Sequence, residues 1–224
     1  MEIKIGAEWM QNDTGAIVGI LIMKDVDNPR MSPELHSRKE QLEQEIRQKY
    51  SGLDRSQLRD QPTLAAYDRF YRQFKKTYHL QLQLESVIDG KPIPSVAALV
   101  GAMFMAELED HLLTAGHDLD AVQSPVHIDV ATGSETYTRM NGDQQQLKVG
   151  DLYIRDAQGI LSSIIYGPDH RTRLRPETKR VMFTTYAVPG ITARTAIDHL
   201  ENLRDYVLLT SETAQVETLE TFGD

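Results

Sequence analysis

The chain contains no cysteine, which excludes structural disulfides, zinc-thiolate sites, iron-sulfur clusters and thiol nucleophiles together. Long apolar runs are also missing. The longest, Ala16 to Met23, is too short to cross a bilayer, and Met1-Glu2-Ile3-Lys4 does not open a charged segment followed by an apolar one. Cytoplasmic residence with no membrane partner is therefore expected. The sequence holds no Gly-rich phosphate loop, no Gly-x-Ser-x-Gly elbow and no His-Glu-x-x-His pattern. His111 and His117 stand six apart, on different faces of any continuous helix, so no metal site and no cofactor is expected. Basic charge is scarce as well. A net charge of −9 works against non-specific adhesion to nucleic acid, because phosphate neutralisation supplies most of that affinity. DNA is not an expected partner, whereas contact with one RNA end needs only a local strip such as Arg171, Arg173, Arg175, Lys179 and Arg180. The plainer reading of that strip is a solvated strand face.

What is present reads as an ordinary globular chain, 40% hydrophobic and 25% charged over 224 residues. Gly15 to Met23 is rich in Ile and Val and predicts a strand covered on both faces. Ser32-Pro33 predicts a capped helix start, followed by a sparse apolar stripe at Leu35, Leu42, Ile46 and Tyr50. Leu64, Tyr67, Phe70, Tyr71 and Phe74 recur at helical spacing from Thr63 to about Lys76, an aromatic stripe that suits packing better than base stacking. A buried helix is expected from an N-cap at Ser95, ending in a glycine C-cap at Gly116. Later segments alternate. Strands are expected at Val126 to Val130, at Glu135 to Arg139 before the Asn141-Gly142 turn, in a hairpin of Leu152 to Arg155 with Ile160 to Tyr166, and at Val181 to Val188. A last helix spans about Thr192 to Leu208. Helices dominate the first half and strands the second, which argues for an α+β fold with the helical half packed on a mixed sheet or sandwich.

Two polar loops beside apolar elements form the candidate site. The first runs Leu113-Thr114-Ala115-Gly116-His117-Asp118. The second runs Tyr166-Gly167-Pro168-Asp169-His170-Arg171-Thr172. Plainer readings stand beside these: His117 hydrogen-bonded to a capping Asp118, and a turn salt bridge between Asp169 and Arg171.

Pro94-Ser95-Val96 through Leu108, then Gly116-His117-Asp118-Leu119-Asp120-Ala121-Val122, resembles the tRNA-editing (B3/B4) domain of the phenylalanyl-tRNA synthetase beta subunit. The collinear pieces Ala66-Tyr67-x-x-Phe70, Gly90-Lys91-Pro92-Ile93-Pro94-Ser95, Gly150-Asp151, Arg171-Thr172-Arg173 and Pro176-Glu177-Thr178-Lys179 extend the likeness over nearly the whole chain. The resemblance implies a stand-alone B3/B4-like domain over residues 1–210, whereas the polar, acidic composition of 211–224 predicts a flexible tail. It implies hydrolysis, in trans, of an aminoacyl ester on a mischarged tRNA, the partner being the aminoacyl-tRNA 3′ end. The alternative is a non-catalytic module of the same fold that captures tRNA or a free amino acid. On this reading His117, Asp118 and Asp169 are the catalytic candidates, and Thr114, Tyr166, Gly167, Arg171 and Thr172 the substrate-binding ones. The sequence departs from the family pattern where its pocket histidine, Asp and Asn align with Ala115, Gly101 and Phe104, which implies a changed amino-acid specificity.

Overall fold

The computed structural model describes residues 1–12 and 14–223. Its fold is α+β, and of the seven α-helices among the described residues six lie in the first 110: α1 (Ala7–Gln11), α2 (Pro33–Lys49), α3 (Arg55–Arg59), α4 (Pro62–Gln73), α5 (His79–Ile88) and α6 (Ala98–Asp110). The seventh, α7 (Ala193–Leu208), lies near the C-terminal end.

One antiparallel sheet is built from β11 (Gln215–Phe222), β2 (Ile17–Lys24), β10 (Arg180–Ala187) and β3 (Thr114–Asp118), in that order. A second, mixed sheet has the order β1 (Ile3–Ile5), β4 (Val126–Val130), β7 (Leu152–Arg155), β8 (Ile160–Ser163) and β9 (Gly167–Pro168). A separate ribbon pairs β5 (Thr136–Thr138) with β6 (Gln144–Gln146) across the Asn141-Gly142 turn, where Gly142 takes φ of 89°. That left-handed turn is the geometry the dipeptide favours. No described helix is long and apolar enough to cross a membrane.

The apolar run of β2 is buried from Ile17 through Met23, as a strand sandwiched on both faces must be. The aromatic stripe of α4 is packing: Tyr67 stacks on Tyr78 with centroids 4.4 Å apart, and its hydroxyl donates to Tyr186 O at 2.6 Å. Thr192 caps α7 through Thr195 N at 3.1 Å, as the sequence suggests.

Three expectations are corrected. Ser95 does not cap α6. The helix starts at Ala98, where Ala98 N donates to Pro29 O and Leu99 N donates to Asn28 Oδ1 at 3.0 Å, so the cap comes from a residue 71 positions away. The stretch 113–118 is not a helix end. The turn falls earlier, at His111, which takes φ of 64° as a left-handed cap. Tyr50 and Tyr78 hydroxyls hold that residue at 3.0 and 3.1 Å, and the chain then enters β3. Nor is 211–223 a free tail, residue 224 lying outside the described residues. Residues 215–222 form β11, pairing antiparallel with β2 from Gln215↔Lys24 to Phe222↔Val18. The physical reason is the second edge of β2, whose backbone groups would otherwise lie unpaired beside the core.

Candidate functional site

β3 is an edge strand, and its two sides differ. Its inner side pairs with β10, from Thr185↔Thr114 to Val181↔Asp118. On the outer side Thr114 N donates to Glu107 Oε1 at 2.7 Å and Asp118 N donates to Thr172 O at 2.7 Å. Antiparallel alternation then leaves the N–H and C=O of Gly116 on the same outer edge, between these anchors. Among the described residues no hydrogen bond reaches them. A Cβ here would come within 2.9 Å of Leu174 Cδ1 and 3.3 Å of the Phe183 ring, so a larger residue would crowd the Leu174 side chain.

Against this edge lies a cavity of about 620 Å³, bounded by α5, α6, the turn from Ser163 to Pro168, and Leu174. Val100, Met103, Phe104, Leu113 and Ile164 give it an apolar bed, while Glu107, Arg139, Arg173 and Tyr186 contribute polar groups. Glu107 is buried, and burial pushes its carboxyl up to about 8, against the pull of the Thr114 N–H. At that value the neutral form of the carboxyl predominates at pH 7. The Nε of Arg139 is buried with no hydrogen-bond partner, a costly arrangement that points to a missing acceptor. Arg173 is anchored through Nη1 to His170 O at 2.8 Å. Beneath the turn, Ile165 N donates to Asp151 Oδ1 at 3.3 Å, and burial lifts that carboxyl to about 7.

Of the sequence candidates, Thr114, Tyr166 and Gly167 border this cavity. His117, Asp118, Asp169, Arg171 and Thr172 do not, which corrects the expectation that all these groups line one pocket. The two loops do meet, through Asp118 N to Thr172 O and a 2.8 Å contact of His117 Nδ1 with Thr172 Oγ1. They meet behind the wall.

The donor order there follows from the inventory of hydrogens. Thr172 Oγ1 donates to Asp169 Oδ1, so it accepts from His117 Nδ1–H. His117 Nε2 then accepts from Ser162 Oγ at 3.2 Å, and the Tyr186 hydroxyl donates to Ser162, 2.7 Å from its Oγ. The imidazole is neutral and fully enclosed. Burial first, and then the charge of Arg171, pull its pKa down to about 3. Burial holds Asp169 above the usual carboxylate range in spite of its bonds from Thr172. Asp118 is equally saturated, accepting Arg175 Nε and Nη2 at 3.1 and 2.9 Å, Thr178 Oγ1 at 3.0 Å and Asp120 N at 3.2 Å. Arg171 holds Ala121 O at 2.6 Å and Asp156 at 2.9 Å.

Most of the basic strip is used in the same way. Lys179 pairs with Asp27, and Arg180 with Glu217 and Asp120. Arg173 alone of the strip borders the cavity.

No protein-family model and no curated protein sequence matches the chain. Its structure is similar to that of an N-terminal fragment of the phenylalanyl-tRNA synthetase beta subunit from Pyrococcus horikoshii. The TM-score is 0.50 at 10% sequence identity, over 100% of this chain and 54% of that one. At that identity the likeness is one of fold. The chain spans about half the length of the fragment it resembles.

Glu107 and Arg139 are the groups that the sequence reading passes over. A signal for Glu107 exists: Ala98 to Leu108 is apolar on nearly every face, so a carboxylate inside it has no route to bulk water. No comparable pattern marks Arg139, which the β5–β6 ribbon brings in from a distant part of the chain.

Proposed function

We propose that the cavity at the outer edge of β3 receives the aminoacylated 3′ end of a tRNA and that the ester is hydrolysed there. The observation that carries this reading is the set of polar groups around one apolar bed: a buried Glu107 whose carboxyl is raised by burial, an Arg139 Nε with no partner, and the free edge of Gly116. An α-ammonium entering beside Glu107 would draw the carboxyl into its ionised form, so that the charge pair exists only with ligand bound. The apolar bed suits the amino-acid side chain. Arg139 and Arg173 suit the phosphate of the terminal nucleotide. Gly116 N–H is a candidate donor for the oxyanion that develops as water attacks the ester carbonyl, and an ester held against such a donor needs little further help. The fold shared with a synthetase beta-subunit fragment is compatible with this reading.

The test is release of amino acid from a panel of mischarged tRNAs. Glu107→Gln keeps the shape and removes the ion pair. Its expected cost is about 1.5–3 kcal/mol, a loss of about 10- to 150-fold in kcat/KM carried chiefly by KM. Cleavage of no ester in the panel, with no binding of any aminoacyl-tRNA, would discard the reading.

A second reading, capture of tRNA or a free amino acid without turnover, is favoured by one observation. The residues best suited to acid-base chemistry, His117, Asp118 and Asp169, sit behind the cavity wall with their hydrogen bonds already made. Tight binding that leaves the ester intact would select it.

A further inference from the structure

α7 turns Ala196, Leu200 and Leu203 onto the core, and His199 lies on the same face, fully buried. A histidine among alanine and leucine there needs partners for both ring nitrogens. They come from the two sides of the His111 turn. Asp110, the last residue of α6, places Oδ2 2.9 Å from His199 Nδ1, and Thr114, the first residue of β3, places Oγ1 2.6 Å from His199 Nε2. Asn202, three residues further along α7, donates to the same Asp110 Oδ2 at 2.9 Å and helps to fix the carboxylate.

A carboxylate only accepts, so the hydrogen between His199 and Asp110 sits on Nδ1, and Nε2 is left to accept from Thr114 Oγ1–H. Thr172, in the cluster behind the wall, gives its proton to a carboxylate. Thr114 gives its proton to an imidazole that a carboxylate orients, which is the arrangement that activates a hydroxyl as a nucleophile. Among the described residues Thr114 Oγ1 makes no other hydrogen bond. Thr114 borders the 620 Å³ cavity, whereas His199 and Asp110 do not, so the relay reaches that cavity through Thr114 alone. Glu107 Oε1 accepts from the Thr114 N–H at 2.7 Å, and Gly116 follows next but one on the same strand. The three groups come from distant parts of the chain and meet at one edge of the cavity.

We propose that Thr114 is the nucleophile of the cavity, with His199 as its general base and Asp110 as the positioning residue that keeps the imidazole hydrogen on Nδ1. The assignment rests on the ester cleavage proposed above and divides it into two steps, water attacking only in the second. In the first, Thr114 Oγ1 attacks the ester carbonyl carbon while its proton passes to His199 Nε2. The bond from that carbon to the ribose oxygen breaks, the ribose oxygen takes the proton from His199, and the aminoacyl group stays on Thr114 as a new ester. In the second, water attacks this ester and gives a proton to His199. The bond to Thr114 then breaks, Oγ1 recovers a proton from His199, and the amino acid leaves.

The experiment mixes wild type, Thr114→Val, Thr114→Ser, His199→Gln and Asp110→Asn with p-nitrophenyl acetate and, separately, with the panel of mischarged tRNAs. It reads p-nitrophenolate release, the mass of the acid-quenched protein, and kcat apart from KM. Wild type should release a burst of p-nitrophenolate equal to the protein present and gain one acetyl group, which peptide mapping places on Thr114. Thr114→Val, which lacks the hydroxyl, should lose burst and adduct, whereas Thr114→Ser should be acetylated at the same position; that label decides the matter even if Thr114→Val fails to fold. His199→Gln and Asp110→Asn should lower kcat roughly 100- to 10,000-fold with KM little changed, a split that a purely structural relay would not give. An acetyl group absent from Thr114, or Thr114→Val cleaving either ester at the wild-type rate, overturns the nucleophile. If Thr114→Val deacylates tRNA normally while Glu107→Gln does not, the nucleophile falls and the parent reading stands. If Thr114 is acetylated and no aminoacyl-tRNA is bound or cleaved, the parent reading falls and an acyl-transfer site for small esters remains.

Discussion

Behind the cavity wall, His117 has both ring nitrogens engaged, and its neighbours Asp169, Thr172, Ser162 and Tyr186 complete a chain in which every hydrogen has a destination. At the cavity against the outer edge of β3, burial raises the Glu107 carboxyl, Arg139 holds a buried nitrogen with no acceptor, and Gly116 presents a free peptide edge. Both neighbourhoods are rich in polar groups, but the side chains of the His117 cluster have made their hydrogen bonds, whereas Arg139 Nε at the cavity has none. A saturated cluster stabilises the fold, whereas an unsatisfied one lining a cavity lowers stability and waits for a ligand. Stability and ligand readouts should therefore separate between the two.

The largest expected effect is on the saturated side. His117→Ala removes the link between Thr172 and Ser162, leaves two buried hydroxyls short of a partner, and opens a void. The cost should be about 2–4 kcal/mol in denaturant unfolding. In the ligand assays the variant that stays folded should bind aminoacyl-tRNA normally. A stability near wild type together with lost turnover would reverse the comparison and return His117 to a direct catalytic role.

A smaller effect, with a definite sign, is expected in pH dependence. The pKa of His117 is lowered from 6.5 to about 3, so the unfolded chain binds its proton first on acidification. The stability this group contributes is complete above about 6.5 and is lost as pH falls toward 3. Glu107 is the opposite case. Its pKa is raised from 4.5 to about 8, so stability is lost as pH rises from about 4.5 to 8, with a slope of at most about 1.4 kcal/mol per pH unit. The deficit of His117→Ala should therefore shrink toward acid, and Glu107→Gln should gain on wild type toward alkali. Parallel stability curves for wild type and Glu107→Gln between pH 6.5 and 8 would mean that this carboxyl is not held neutral.

The sequence made one neighbourhood more legible than the other. Periodicity and local capping reveal β2, the aromatic face of α4 and the start of α7, because each depends on residues close together in the chain. Where the cause is distant, pattern reading fails. Asn28 caps α6 from 71 residues away, His111 ends that helix in a left-handed turn without glycine, and the edge of β2 recruits a segment whose acidic composition suggests a loose tail. Thr114-Ala115-Gly116-His117-Asp118 carries few strand-forming residues, yet it is fully buried as β3 between β10 and the cavity. The same limit governs the site. Histidine and aspartate draw attention as chemical types, but whether such a group is saturated depends on partners such as Thr172 and Arg175, which lie 55 and 57 residues further on.

The smallest stability change should come from the group that most clearly awaits a ligand. The Arg139 side chain makes no hydrogen bond or ion pair among the described residues, so Arg139→Gln removes no protein contact of that kind and relieves a buried unpartnered nitrogen. Unfolding should shift by no more than about 0.5 kcal/mol in either direction. If the guanidinium receives phosphate, affinity for the aminoacyl-tRNA should nevertheless fall by about tenfold, and its salt dependence should flatten by about one phosphate contact. A loss of about 2 kcal/mol in stability with unchanged affinity would mark Arg139 as part of the fold, and the division between a saturated cluster behind the wall and an open cavity edge would no longer hold.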